Sequence, residues 1–104
     1  MEKNKYPPVV ILDSGMDAAH PDLVNTVQGF VDFVHDRKEP YDDFGHGTHI
    51  AGIVAGSGEM SSGKYKGYAP GCPLYILKIL DEHGQGTRQS VKEALRWVEE
   101  NRET

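Results

Sequence analysis

Two short stretches of this sequence carry residue types that could do chemistry. The first is Gly45-His46-Gly47-Thr48-His49-Ile50-Ala51-Gly52. It reads as a loop that ends in an imidazole and runs at once into a helix, predicted over residues 46–56. Ile50, Ile53 and Val54 fall at i, i+3 and i+4 and form one apolar stripe. Gly47, Ala51, Gly52 and Ala55 are small, and glycine inside a helix costs about 1 kcal/mol relative to alanine. Close approach to a buried neighbour is the reading that explains them. The octet alone also fits a polar residue capping a core helix. A His46–His49 metal pair fits less well, because no nearby Cys or third His completes a ligand set. The second stretch is Val9-Val10-Ile11-Leu12 followed by Asp13-Ser14-Gly15. The β-branched and aliphatic run suits a parallel strand covered on both faces. A carboxylate at its end stands where open α/β sheets place their chemistry; a turn-forming Asp before Gly is the plainer alternative. Brought together, a carboxylate beside an imidazole fixes its tautomer and stabilises its protonated form. A general base that activates a hydroxyl needs both.

The elements that must position these groups follow from pattern. Pro7-Pro8 hold the chain extended ahead of the first strand. Residues 28–34 alternate, with Phe30, Asp32 and Val34 on one face and Val31 and Phe33 on the other, as in an edge or half-exposed strand. A polar loop over 35–44 delivers the chain to His46. Residues 57–68 are rich in Gly and Ser and predict a surface loop. Within it, Gly58 to Lys64 matches the spacing of a phosphate-binding loop. Tyr65 stands where that motif needs Ser or Thr, and a helix precedes it where a strand is required. Residues 74–80 form a largely apolar third strand, which makes a strand–helix–strand unit with the second. Thr87 reads as an N-cap, and Val91, Ala94, Leu95 and Val98 form the apolar face of a last helix.

Composition narrows the class. A chain of 104 residues suffices for one small domain. The net charge of -5 is spread among interspersed acidic and basic residues, which speaks against a nucleic-acid surface. No apolar run approaches the roughly 20 residues of a membrane helix, and no leader pattern opens the chain. The single Cys72 rules out an internal disulfide and leaves the compartment open: intracellular, or secreted with a signal outside the chain. The sequence stops within a helical pattern, with no glycine or proline to end it.

Three blocks resemble one family. VVILDSGMDAAHPDL, GHGTHIAGIVAG and YAPGCPLYILKILDEHGQG are similar to the N-terminal part of the catalytic domain of subtilisin-like serine proteases (subtilases, peptidase family S8), and together they span most of residues 9–100. The resemblance implies an α/β, parallel-sheet fold. Here it would be a partial three-layer domain with about three parallel strands, in the order two, three, one, and two main helices. It implies a serine endopeptidase acting on protein or peptide substrates, with no nucleic-acid or membrane partner. Asp13 would orient His46, His46 would be the base, and His49 would pack structurally. Gly84-Gln85-Gly86 would pair with the substrate backbone as an added strand. Leu80 would line an apolar substrate pocket, and Phe44 would shape the pocket beside the scissile bond. No cofactor is required. Calcium is an option for the full-length protein, with Asp22 resembling one carboxylate ligand, although the Asn-rich ligand run of many relatives is missing and a lone carboxylate is more often a turn residue.

Departures from the family pattern set a second group of expectations. The GTSMAxP-type block that holds the family's nucleophile has no counterpart. Ser14 adjoins Asp13, Ser57, Ser61 and Ser62 lie in the glycine-rich loop, and Ser90 sits in the first turn of the last helix, where a cap-related role fits. The oxyanion Asn and the opposite substrate-binding strand are missing too. Residues 1–104 are therefore expected to be an incomplete domain that supplies Asp13 and His46 only and is inactive alone. The alternative is a natural non-catalytic binding or scaffold module of the same fold; the intact Asp13 and His46 favour the enzyme. Strand 9–13 is expected to present an unpaired edge and to drive self-association, unless residues 1–6 or the last helix cover it. Cys72 replaces a small residue of the third block and is expected to be a buried, inert thiol.

Overall fold

The computed structural model describes residues 6–64 and 66–102. Three strands, β1 (Val9–Asp13), β2 (Val27–Asp32) and β3 (Leu74–Lys78), form one parallel sheet in the order β1-β3-β2. This is the strand order the resemblance implied. β3 lies in the middle, so both its edges are paired, and Leu74, Ile76, Leu77 and Lys78 are all wholly buried. Each such aliphatic side chain contributes about 1.5–3 kcal/mol. Side chains alternate across a sheet, so the register sorts the residues into two faces. Val9, Ile11 and Asp13 share one face with Leu74, Ile76 and Lys78 and with Val27, Phe30 and Asp32. Val10 and Leu12 share the other with Tyr75 and Leu77.

Helix α1 (His46–Ala55) covers the first face. Its Ala51 and Ala55 join Ile11, Leu74, Ile76, Met16, Leu23 and Cys72 in the core. The small residues are the wholly buried part of this contact; of the expected stripe, Ile50 and Val54 are half-buried and pack against the core, whereas Ile53 is 45% exposed. Gly52 also departs from the expectation of close approach, because a Cβ there would meet nothing within 4 Å. The helix ends by donation from outside. The amides of Gly67, Tyr68, Ala69 and Gly71 bond the carbonyls of Gly56, Ile53, Val54 and Ala55, satisfying acceptors that a helix C-terminus leaves open.

Helix α2 (Arg88–Glu100) covers the second face, with Trp97 against Tyr75 at 6.1 Å between ring centroids. Thr87 caps it as expected, its hydroxyl accepting the Ser90 amide at 3.0 Å. The buried stripe is rotated from the predicted one. Ser90 and Ala94 are buried and Trp97 and Val98 half-buried, whereas Val91 and Leu95 face outward, Leu95 at 56% exposure.

Both flanking strands end where side chains intervene. β2 stops at Asp32, short of the predicted residue 34, because the Asp32 carboxylate captures the amides of Val34, His35 and Arg37 and turns the chain. β3 stops at Lys78, and the Ile79 and Leu80 amides converge on the Asp13 carbonyl. β1 is less covered than the continuous apolar run suggested. Among the described residues only β3 pairs with it, and Val10 is 36% exposed. Residues 1–5, part of the segment whose folding over that edge was the alternative to self-association, lie outside the described residues.

Candidate active site

The carboxyl ends of the strands carry a row of three charges. Asp13 of β1, Lys78 of β3 and Asp32 of β2 stand in register on the same face. The loop before α1 folds over this row and brings His46 to Asp13. The His46 Nδ1 lies 2.9 Å from Asp13 Oδ2 and 3.0 Å from Oδ1. Asp13 also accepts the Ser14 amide at 2.7 Å, which anchors the carboxylate to its own turn. The Asp13 side chain is 11% exposed and that of His46 is 55% exposed. A fixed, sheltered carboxylate thus holds one edge of a ring whose other edge meets solvent. With the proton on Nδ1, the arrangement leaves Nε2 as a free base.

Asp42 sets the position of His46, and the sequence reading passed over it. Its Oδ1 accepts the Gly45 amide at 2.7 Å and the Ser14 hydroxyl at 2.8 Å. Its Oδ2 accepts the Thr48 amide at 2.8 Å and the Thr48 hydroxyl at 2.6 Å. Gly45, the residue before α1, has no side chain to cap with, and Asp42 supplies that function from three residues upstream. Burial pushes the Asp42 carboxyl up, but the bonds from Thr48, Gly45 and Ser14 outweigh it and hold the pKa at about 2. Ser14 completes the knot: its Oγ accepts the Gly47 amide at 2.9 Å. Gly47 is pressed so close that a Cβ would lie 2.1 Å from the Gly15 carbonyl oxygen. This is the close approach its type predicted. His49 departs from expectation, since it is exposed rather than packed.

Behind the row, the Lys78 ammonium donates to the Ser14 carbonyl at 2.6 Å, and to Asp43 Oδ1 and the Leu80 carbonyl at 2.7 Å each. The Tyr41 ring lies 4.9 Å from its nitrogen, and the Tyr41 hydroxyl donates to Asp32. Burial raises the Tyr41 phenol and the Asp32 bond reinforces the shift. Burial raises the Asp32 carboxyl as well, yet the Tyr41 bond and three backbone amides bring it below its usual range.

The residues expected to meet a substrate form the next loop. Asp81 organises it, accepting the His83 and Gln85 amides at 2.9 and 3.0 Å, while the Asp81 amide donates to the Gln85 carbonyl. Gly84 takes a φ of 74°, and a Cβ there would lie 2.5 Å from the Phe44 ring. Phe44 therefore rests on Gly84, joining the loop before His46 to the loop at 81–86. Leu80 lies beside Gly86. Gln85 and Gly86 line a groove with Phe33, Val34, Ile79 and Ser90.

The hydroxyls of Ser57, Ser61 and Ser90 also serve local turns and caps. Ser57 Oγ accepts the Glu59 amide, Ser61 Oγ donates to the Gly58 carbonyl, and Ser90 Oγ pairs with Thr87. Cys72 is wholly buried, and burial raises its thiol pKa. Among the described residues, one trio of His, Cys, Asp or Glu brings ligand atoms within 4.8 Å of one another: His35, Asp43 and Glu82, all exposed. Asp22 is not part of it. A single carboxylate does not fit a cation that takes six to eight oxygens.

The sequence model of the subtilase family matches residues 5–103. Serine protease AprX of Bacillus subtilis (strain 168) is 47% identical over 89 residues, which cover 86% of this chain and 20% of that protein. Subtilisin E of the same organism is 38% identical over 94 residues, 89% of this chain and 24% of that one. A solved structure, that of a cold-adapted subtilisin-like serine proteinase, aligns with a TM-score of 0.78 at 28% identity over 90% of this chain and 32% of its own. The chain thus spans between a fifth and a third of the length of these relatives.

Proposed function

The chain belongs to the subtilase family, and from that premise we propose that it supplies the carboxylate and the imidazole of a serine endopeptidase. The observation that carries this reading is the pair of contacts from Asp13 to His46 Nδ1 at 2.9 and 3.0 Å. Asp13 holds the ring in the tautomer that carries its proton on Nδ1. His46 Nε2 then takes the proton of a serine hydroxyl as that oxygen attacks a peptide carbonyl. The imidazolium is stabilised by Asp13 and returns the proton to the leaving amine. The nucleophile comes from sequence outside these 104 residues, because no serine here stands in a block that matches the family's nucleophile motif. The substrate lies extended along Gly84-Gln85-Gly86, with Leu80 and Phe44 flanking it. Calcium at Asp22 is not needed for any of these steps.

The isolated chain is expected to leave casein and a fluorogenic peptide uncleaved. Turnover that survives purification and is lost in His46→Ala would reveal a nucleophile within the chain and overturn this assignment of roles. In a polypeptide extended to include the serine-bearing segment, cleavage is expected. Asp13→Asn should lower its kcat about 10^4-fold, because the amide favours the wrong imidazole tautomer.

A further inference from the structure

Lys78 is a cation inside an otherwise apolar strand, Leu74-Tyr75-Ile76-Leu77-Lys78, and it is wholly buried. Burying a charge is costly unless it is paired and hydrogen-bonded. An ammonium has three N–H donors and no acceptor. Here all three are used, at 2.6 to 2.7 Å, and each goes to a different part of the half-site. The Ser14 carbonyl belongs to the turn that fixes Asp13. Asp43 follows Asp42, whose carboxylate caps α1 and so places His46. The Leu80 carbonyl opens the 80–86 segment. Two of the three acceptors are 64 and 35 residues away in sequence. The Tyr41 ring closes the remaining side.

A strand that needed only packing would be served by another Leu or Ile here. We propose that Lys78 is a positioning residue: its ammonium sets the spacing of Asp13, His46 and the 80–86 segment, and thereby selects the His46 tautomer. The proposal rests on the half-site reading above. Lys78 does not touch the imidazole. It grips the peptide next to the one that bonds Asp13, and it grips the neighbour of the residue that caps α1. Loss of the tripod should let the turn at Ser14 and the loop at 42–43 drift apart, and the Asp13–His46 pair should loosen with them.

Ring-15N histidine NMR on the 104-residue chain at about pH 8.5, where free imidazole is neutral, tests this. In the unsubstituted chain His46 should hold its proton on Nδ1. Lys78→Met fills the volume without a donor. Asp43→Ala removes one acceptor at the surface and leaves Lys78 in place. In each variant that folds, His46 should lose the single-tautomer signature and show a mixture. His20 is the internal control: its Nδ1 accepts the Asp22 amide at 3.1 Å, so its Nε2–H tautomer should persist throughout. Asp43→Ala decides the matter should Lys78→Met fail to fold. A folded variant that melts earlier yet keeps the unsubstituted tautomer reduces Lys78 to a stabilising residue and overturns the proposal, leaving the half-site intact. An unsubstituted chain without the Nδ1–H tautomer overturns the half-site reading itself, and the positioning role falls with it.

Discussion

Asp42 shows how much of a catalytic geometry can depend on a residue that does no chemistry. Five hydrogen bonds reach its carboxylate from Ser14, Phe44, Gly45 and Thr48, and protonation would weaken all of them. Its folded pKa, about 2, lies below the ordinary 3.8. A depressed carboxyl contributes stability that is present above the unfolded pKa and is lost as pH falls through the folded one. The melting temperature should therefore drop between about pH 4 and pH 2, and the drop should be shallower in Asp42→Asn. Asp32 acts in the same direction and stays in place in both proteins, so their difference isolates Asp42. Parallel acid limbs measured by thermal melts would show that Asp42 is not held ionised by the fold. Asp13 and His46 were legible in the sequence because each ends or opens an element within a long motif. Lys78 was not, because two of its three acceptors lie 64 and 35 residues away; Asp42 was not, because its role appears only once the loop folds its carboxylate back over the Gly45 and Thr48 amides and onto Ser14. Their signals were present: an Asp three residues before a helix-opening glycine, and a lone cation within an apolar strand.

At the scale of elements, the two interior glycines of α1 look alike in sequence and differ in their surroundings. A Cβ on Gly47 would overlap the backbone of Gly15, whereas one on Gly52 would enter open space. Gly52→Ala should stabilise the chain by up to about 1 kcal/mol through helix propensity alone. Gly47→Ala gains the same propensity but must push the helix off the Asp13 turn, at a cost of about 1–3 kcal/mol. It should also lengthen the contact between Asp13 and His46. Urea melts of the two variants should move in opposite directions, and equal shifts would remove the argument that Gly47 exists for close approach. Element number and helix starts were legible because hydrophobic runs and the Thr87 cap are local signals, whereas the strand order followed only from the family resemblance. The outward turn of Val91 and Leu95 was not. An amphipathic stripe fixes that a helix has a buried face, but the sheet beneath decides which residues at its borders are covered. Ser90, whose hydroxyl reaches the Phe33 carbonyl, rotates that face toward itself and Ala94.

At the scale of the whole molecule, both flanking strands of the sheet leave an outer edge unpaired among the described residues, and that of β1 lies beside an apolar groove. β1 pairs with β3 on one side, and no described residue pairs with it on the other. The Val9 amide bonds the Pro73 carbonyl; alternation along a strand then points the amides of Val10 and Leu12 at the open edge. Beside that edge runs a largely apolar groove lined by Pro8, Val10, Tyr75, Trp97 and Val98. Unpaired strand groups are a template for another chain, and covering the groove gains about 25 cal/mol per Å² of apolar area buried. The 104-residue chain should therefore form dimers or larger species through β1 and this groove. Light scattering should show the mass rising with concentration, and amide exchange at Val10 and Leu12 should slow in step with it, while Val9, already bonded within the sheet, is protected at every concentration. Val10→Lys places a charge on the groove face and should shift the equilibrium toward monomer. A chain that stays monomeric at high concentration, with rapid exchange at Val10 and Leu12, would mean that water satisfies the edge well enough for it to stay open.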